Sequence, residues 1–494
     1  MKRVSKDELL LRIRQHKRLD TAEQLLLTVM LSVPAILAQM STILLFYIDD
    51  AMVGSLGAQA SASVGIVATT IWLFWSVISC VAMGFSVQVA HAVGANRIRK
   101  ARSIFRQSLM TAVVVSLVTM LVGIAIAGRL PLWLGGGEEI VHDASLYFLI
   151  FIFGTPMSMT NMLASSMLRC AGNIKVPSWA NVGMCVFNVI VNFFLIFPTR
   201  DIMVAGCEVT MPGMGWGVAG SAAGTVIAET VVAMYLLWYA SVRCHELRQI
   251  GVSHVTQVRQ RGVRHSFIPE RGVLHNAARI GGPVLMQRVL MNAAQIVTTI
   301  IVAPLGTIAI AANVLGITAE SLCYMPGYGI GEAATTLVGQ SYGAGRMKLT
   351  ERFAWMTTLL GMGVMGVMGI VMYVCAPLMM ASLTPVEAVR TLGTECLRIE
   401  AWAEPGFAAS IVAMSCFVGT GDTRTPALMN LFSIWFVRVT LAMVLATKWG
   451  LQGVWIAMAI ELTFRGAIFL VRLMIKTREY RNIYRKKTDN DNNQ

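Results

Sequence analysis

Apolar stretches of roughly 20 residues recur along this chain from Thr21 to the region of Arg472, and no other feature constrains its fold as strongly. Each is long enough to cross a hydrocarbon core of ~30 Å as a helix. Lipid offers a backbone N–H or C=O no partner, so a chain of such stretches crosses as helices that satisfy their own hydrogen bonds. The spans read at about 22–48, 62–90, 108–128, 144–168, 177–197, 217–240, 277–303, 309–340, 353–375, 393–418, 427–447 and 450–471. An all-α membrane protein with twelve transmembrane helices is expected, and the 56% hydrophobic, 13% charged composition agrees. The first 20 residues are charged and hold no apolar core, so no cleavable signal peptide is expected.

The net charge of +14 would suit nucleic acid, but its distribution argues against that partner. Loops on one side of the spans, together with both terminal segments, hold 32 Lys and Arg against 5 in the loops of the other side. By the positive-inside rule, both termini and the central connector face the cytoplasm. The nine cysteines form no CxxC pair and no Cys/His cluster, which leaves metal and redox motifs unsupported.

The sequence is also written twice. Shifted by 249 residues, Pro34 falls on Pro283, Val53 on Val302, Gly57 on Gly306, Gly94-Ala95 on Gly343-Ala344, Pro156 on Pro405, Gly172 on Gly421 and Pro177 on Pro426. Matches concentrated at Gly and Pro mean that bends and close contacts recur in both halves. Six spans per half is an even number, so the halves start on the same side and form parallel repeats about an axis normal to the membrane. The expected organisation is a six-helix lobe over residues 1–241, a basic cytoplasmic linker over 242–275, and a second six-helix lobe over 276–494 with a basic tail.

Within this framework the stretch Tyr47 to Gly57 places Asp49 and Asp50 where an apolar segment ends and a short uncharged turn begins. Ionisable groups in or near a span are costly and mark ion, proton or substrate sites by default. Asp49, one residue further from the turn, is the stronger candidate.

The turn Asp49-Asp50-Ala-Met-Val-Gly-Ser-Leu-Gly, Val302-Ala-Pro-Leu-Gly306, Gln340-Ser-Tyr-Gly-Ala-Gly-Arg346 and Gly419-Thr-Gly-Asp-Thr-Arg-Thr-Pro426 resemble the multidrug and toxic compound extrusion (MATE) family over roughly residues 22–475. The resemblance implies a secondary active exporter that antiports cationic or amphipathic organic compounds against Na⁺ or H⁺ by alternating access. It further implies coupling residues at Asp49 on the first helix, Asn188 and Asn192 on the fifth and Thr225 on the sixth. Residues four apart share a helix face, so Asn188 and Asn192 can present two amide oxygens beside one carboxylate, a plausible Na⁺ shell made of Asp49, Asn188 and Asn192. Many members carry an acid at the position of Asn192, and some carry one on the seventh helix, where this chain has Arg288 and Asn292. The repeat places Thr298 opposite Asp49, so the second half lacks the first half's acid.

Further charges lie in the second half. Glu332 follows Pro326-Gly-Tyr-Gly-Ile-Gly331, read as a helix-breaking run able to line a cavity. Glu404 precedes Pro405, which is expected to bend the tenth helix. With Glu320, Arg288 and Asn292 these are candidate substrate-cavity residues, a salt bridge to Arg288 or Arg438 being the competing role for the acids. Glu461 and Arg465 are four apart and expected to pair.

A flippase for lipid precursors or polysaccharides is the alternative within the same architecture. An enzyme is not expected: the sequence holds no HExxH, no nucleophile elbow, no clustered His set and no Walker loop. No cofactor is expected beyond the coupling ion. The expected setting is a bacterial inner membrane, as a monomer whose partners are lipid and small amphipathic or cationic molecules.

Overall fold

The computed structural model describes residues 5–204, 207–249 and 270–492. Much of the 242–275 connector therefore lies outside the described residues. The helices are α1 (Lys6–Arg14), α2 (Thr21–Gly54), α3 (Ala58–Gly94), α4 (Ile98–Ala127), α5 (Leu130–Trp133), α6 (Glu138–Cys170), α7 (Lys175–Ile196), α8 (Gly217–Trp238), α9 (Arg271–Val302), α10 (Thr307–Gly343), α11 (Met347–Leu383), α12 (Glu387–Glu400), α13 (Glu404–Thr420), α14 (Arg424–Phe432) and α15 (Thr440–Asn492).

Among the described residues, ten segments are individually long and apolar enough to cross a bilayer. The pair α12 and α13, bent by 59°, makes another span. The segment Arg424–Arg481 is 58 residues long and holds two spans, because Gly450 interrupts it at φ 57° and ψ −134°. The total is the twelve expected from hydropathy.

The duplication is visible in the backbone itself. α3 and α10 begin and end 249 residues apart, at Ala58 and Thr307 and at Gly94 and Gly343. Left-handed residues recur with the same spacing: Gly57 and Gly306 at φ 118° and 100°, Gly172 and Gly421 at 100° and 82°, Asn96 and Gly345 at 55° and 70°. Asn96 and Gly345 sit just past the ends of α3 and α10, where a helix stop calls for a residue that tolerates positive φ.

Two elements were not legible in the sequence. α1 is a short amphipathic helix whose Ser5 hydroxyl accepts from the Glu8 N–H at 3.2 Å and whose Leu9, Leu10 and Ile13 are buried. Between α7 and α8 an antiparallel hairpin forms from β1 (Pro198–Val204) and β2 (Cys207–Met214), with an irregularity between Pro198 and Arg200. Its base is tied to α7, since Gly215 N–H donates to Phe197 O at 3.0 Å and Trp216 N–H to Leu195 O at 2.9 Å.

The chain forms two compact units. One comprises Met1–Met40, Ala90–Arg97 and Arg279–Gln494; the other comprises Ser41–Val89 and Ile98–Ala278. In the first, Trp455 is 1% exposed, donates from its indole to Asn313 Oδ1 at 3.1 Å, and leaves no room for a Cβ at Gly316, which would lie 2.8 Å from its ring. In the second, Phe148, Ile152, Val67 and Ala222 anchor the core, with Phe74 edge-on to Phe148.

Two sequence expectations about local shape are corrected. α10 runs unbroken through Pro326 to Gly331, so that run is no helix break. Its glycines serve close packing instead: a Cβ on Gly329 would lie 2.6 Å from the Ile36 nitrogen, and one on Gly331 2.5 Å from Ser415 Oγ. Likewise α2 continues to Gly54, so Asp49 and Asp50 lie inside a helix, about one turn before its end, rather than at the start of a turn.

Candidate functional site

α7 carries Asn188 and Asn192 on one face, and both are buried, at 1% and 0% exposure. The Asn192 amide nitrogen donates to Asp49 Oδ1 at 2.8 Å and to Asn188 Oδ1 at 2.9 Å. The Asn188 amide donates in turn to Thr225 Oγ1 at 3.0 Å, and the Thr225 hydroxyl donates to the Ser221 carbonyl at 3.1 Å. The row thus runs from the Ser221 carbonyl on α8, through both asparagines of α7, to the carboxylate on α2. Tyr147 on α6 and Cys185 on α7 stand close enough for the Asp49 charge to act on both.

One oxygen is left over. Asn192 Oδ1 is buried and has no hydrogen-bond partner. It points at Gly224, where any Cβ would collide with it. A buried amide oxygen without a donor is costly, and a carboxylate, two amide oxygens and a hydroxyl are the hard oxygen donors that an alkali cation prefers. These are donor types that an alkali cation or a proton can use, although as hydrogen-bonded here it is the Asn192 nitrogen that faces Asp49 and its oxygen that faces Gly224. Gly220 and Gly224 let α8 approach: a Cβ at Gly220 would lie 2.6 Å from Leu195 O. The small-xxx-small spacing of Gly220 and Gly224 was a readable sign of this approach. Asp50, one residue on, is exposed.

The second-half acids are placed differently. Glu461 is 0% exposed and lies between two guanidinium groups, 3.3 Å from Arg438 Nε and 3.2 Å from Arg465 Nε, while Ser433 donates to it at 2.5 Å. The expected pair with Arg465 is present, and Arg438 joins it. Ser433 and Arg438 lie on a π-helical stretch, Ser433–Val439, and the wider turn is a recurrent feature of functional segments. Arg465 also stacks over Phe407, 5.4 Å from the ring centroid.

Glu320, at 5% exposure, and Glu404, at 1%, are close enough for their charges to act on one another. Glu404 opens α13 with Pro405 in its first turn, so Pro405 starts a new helix after the break at 401–403 instead of bending a continuous one. Glu400, the last residue of α12, was missed by sequence reasoning, although a second acid four residues before Glu404 was there to be seen. All four carboxylate oxygens of Glu400 and Glu404 are buried without a hydrogen-bond donor. Glu332 stands apart and accepts from Gln39 Nε2 at 3.0 Å. Arg288 and Asn292 are exposed on α9, and Arg288 makes no ion pair among the described residues. Thr298 bonds back to Ala294 O at 3.0 Å, as an interior helix hydroxyl commonly does. Among the described residues no three His, Cys, Asp or Glu side chains gather as a metal cluster.

Tandem sets of six spans, with a buried carboxylate–amide row in one half and buried acids in the other, define a duplicated-bundle membrane transporter. The MatE family profile matches residues 34–194 and 283–444, two stretches whose starts lie 249 residues apart, and the chain belongs to the MatE family. It is 25% identical over 450 residues to a probable multidrug resistance protein NorM of Thermotoga maritima, covering 89% of this chain and 90% of that one. It is 23% identical over 438 residues to the probable multidrug resistance protein YoeA of Bacillus subtilis, covering 87% of this chain and 88% of that one. A crystal structure of MATE in complex with MaL6 superposes with a TM-score of 0.84 at 18% identity, over 96% of this chain and 99% of that one. At that identity the superposition speaks for the fold alone.

Proposed function

We propose that the protein is a secondary active multidrug exporter that moves cationic or amphipathic compounds out of the cell in exchange for Na⁺ or H⁺. Family membership and the multidrug names carried by its relatives support the transport class. The observation that carries the coupling site is the Asn192 amide, which bonds Asp49 and Asn188 through its nitrogen and leaves its oxygen unpartnered.

The chemistry requires a group with two states. Ionised, Asp49 holds a cation together with the oxygens of Asn188 and Thr225 and, once its amide turns over to exchange nitrogen for oxygen, that of Asn192; protonated, it is neutral and needs no cation. Proton and cation compete for one carboxylate, and whichever binds one conformation more tightly draws the population toward it. In the other half, Glu320, Glu400 and Glu404 supply negative charge for a cationic substrate; Glu400 and Glu404 are buried without a donor, which is costly and is relieved by a cation or proton. The loop bias of 32 basic residues to 5 supports cytoplasmic termini in a bacterial inner membrane, and no second copy is needed to complete the row.

The deciding experiment is uptake of a fluorescent cation into everted vesicles under separately imposed Na⁺ and H⁺ gradients. Uptake driven by one gradient and lost in Asp49→Asn is the expected result. Uptake that ignores both gradients would remove the coupling proposal.

A further inference from the structure

A cleft of about 320 Å³ opens where the start of α7 meets the end of α8, lined by Lys175, Val176, Trp179, Ala180 and Tyr235. Two of its five lining residues are aromatic and one is a cation. Trp179 is 62% exposed and Tyr235 45%, although both belong to spans in which an exposed ring has lipid as its surroundings. The aromatic row continues past the cleft: the Tyr235 and Trp238 rings are 6.2 Å apart, and the Arg243 guanidinium lies 5.8 Å from the Trp238 centroid. Lys175 and Arg243 have no acidic partner among the described residues. Lys175 is the first residue of a 22-residue helix whose first turn meets the side-chain oxygen of Asn173, 3.4 Å from the Val176 nitrogen, and the positive end of the α7 dipole adds to the two cations. Below the cleft, Met234, Val231 and Val186 are exposed, giving an apolar wall that runs toward the bilayer centre.

Cations at the headgroup level, amphipathic rings beside them and an apolar wall beneath complement one kind of molecule. We infer that this cleft binds an anionic phospholipid, its phosphate against Lys175 and Arg243, its glycerol region against Trp179 and Tyr235, and an acyl chain along α7 and α8. A soluble phosphate shares the headgroup chemistry but gains nothing from the wall. A lipid here clasps the ends of the two helices that carry Asn188, Asn192 and Thr225, so its occupancy bears on how rigidly that row is held. The binding stands independently of which ion drives transport.

Native mass spectrometry of the purified full chain, exchanged into detergent micelles doped with phosphatidylglycerol or phosphatidylcholine, tests it. The parent protein should retain one phosphatidylglycerol in preference to phosphatidylcholine. Lys175→Ala with Arg243→Ala should weaken that retention about 30-fold, at roughly one interfacial charge's worth per residue. Arg129→Ala with Lys448→Ala, which removes two basic residues outside the cleft, should leave it unchanged. As a second readout, phosphatidylglycerol with brominated acyl chains should quench tryptophan emission less in Trp179→Phe than in the parent. Equal retention of the two lipids, unchanged retention in the double variant, or displacement of the lipid by an equal concentration of inorganic phosphate would each overturn the assignment.

Discussion

Asn192 reaches 143 residues back along the chain to Asp49, and the 2.8 Å bond between them is the point where α2 is fastened to α7. The same amide nitrogen also serves Asn188, so removing the carboxylate charge need not undo the packing. Asp49→Asn should therefore fold, bind substrate and lose gradient-driven efflux. Asp50→Asn, at an exposed position outside the row, should be milder. Vesicle transport at the parental rate by Asp49→Asn would dismiss the row as the coupling site.

Gly224 has no chemistry of its own, yet it holds the space that the Asn192 oxygen occupies. Gly224→Ala should push the Asn192 amide out of reach of Asp49 and reduce coupled transport by about tenfold or more, the scale of a hydrogen bond to a charged group. Gly183→Ala on the neighbouring α7, where nothing lies within 4 Å of the new methyl, should leave transport unchanged. Equal rates in the two variants would show that the Asn192 position is immaterial.

The second-half acids should separate into two behaviours. Glu461→Gln leaves Arg438 and Arg465 facing a neutral amide in a buried site, and breaking a buried ion pair costs about 3–5 kcal/mol. A steep fall in melting temperature in detergent is expected. Glu404→Gln removes a carboxylate that has no donor to lose. It should reach the membrane at normal levels and lose resistance to cationic compounds; Glu400→Gln should behave alike. Unaltered resistance to every exported compound in both variants would take the two glutamates out of the substrate site.

Gly94 packs against the Gln340 backbone and Gly343 against the His91 backbone, the same contact made twice, since His91 and Gln340 are themselves 249 residues apart. A Cβ at Gly94 would lie 2.7 Å from the Gln340 carbonyl carbon, and one at Gly343 2.8 Å from that of His91. His91 Nε2 further bonds Gly419 O at 2.7 Å. Gly94→Val and Gly343→Val should each destabilise by about 1–3 kcal/mol, as overpacking typically does. Gly363→Ala, in open space on α11, should be neutral or stabilise by up to ~1 kcal/mol. Thermal unfolding followed by size-exclusion fluorescence separates the two classes.

Cysteine labelling tests the topology. A cysteine at the exposed Gln15 should react only with reagents that reach the cytoplasm, and one at the exposed Leu132 only with reagents added outside intact cells. Native Cys244 is a built-in control. It is buried, and burial with Glu246 nearby pushes its thiol up to about 12. Thiolate is the reactive form and becomes abundant only as pH approaches that value, so Cys244 should stay unlabelled at neutral pH. Labelling at Gln15 from outside would invert the assignment.

The sequence alone determined the parts of this protein that depend on local chemistry. Hydropathy fixed twelve spans because lipid admits no other way of satisfying so many backbone groups. The 249-residue repeat was readable because Gly and Pro record backbone constraints directly, and Asn96 opposite Gly345 shows that even a non-identical pair kept the same left-handed geometry. Asn188 and Asn192 could be placed on one face from their spacing. Tertiary packing decided the rest. Whether Gly327, Gly329 and Gly331 break a helix or admit a neighbour depends on Met365, Ile36 and Ser415 respectively, residues distant in the chain, and the neighbour won. Arg465, four residues on along the same helix, was readable as the partner of Glu461, but only the fold brought Arg438 to the same carboxylate from another segment and left Glu400 and Glu404 bare. The meaning of a buried charge is set by its partners, and partners are brought together by the fold.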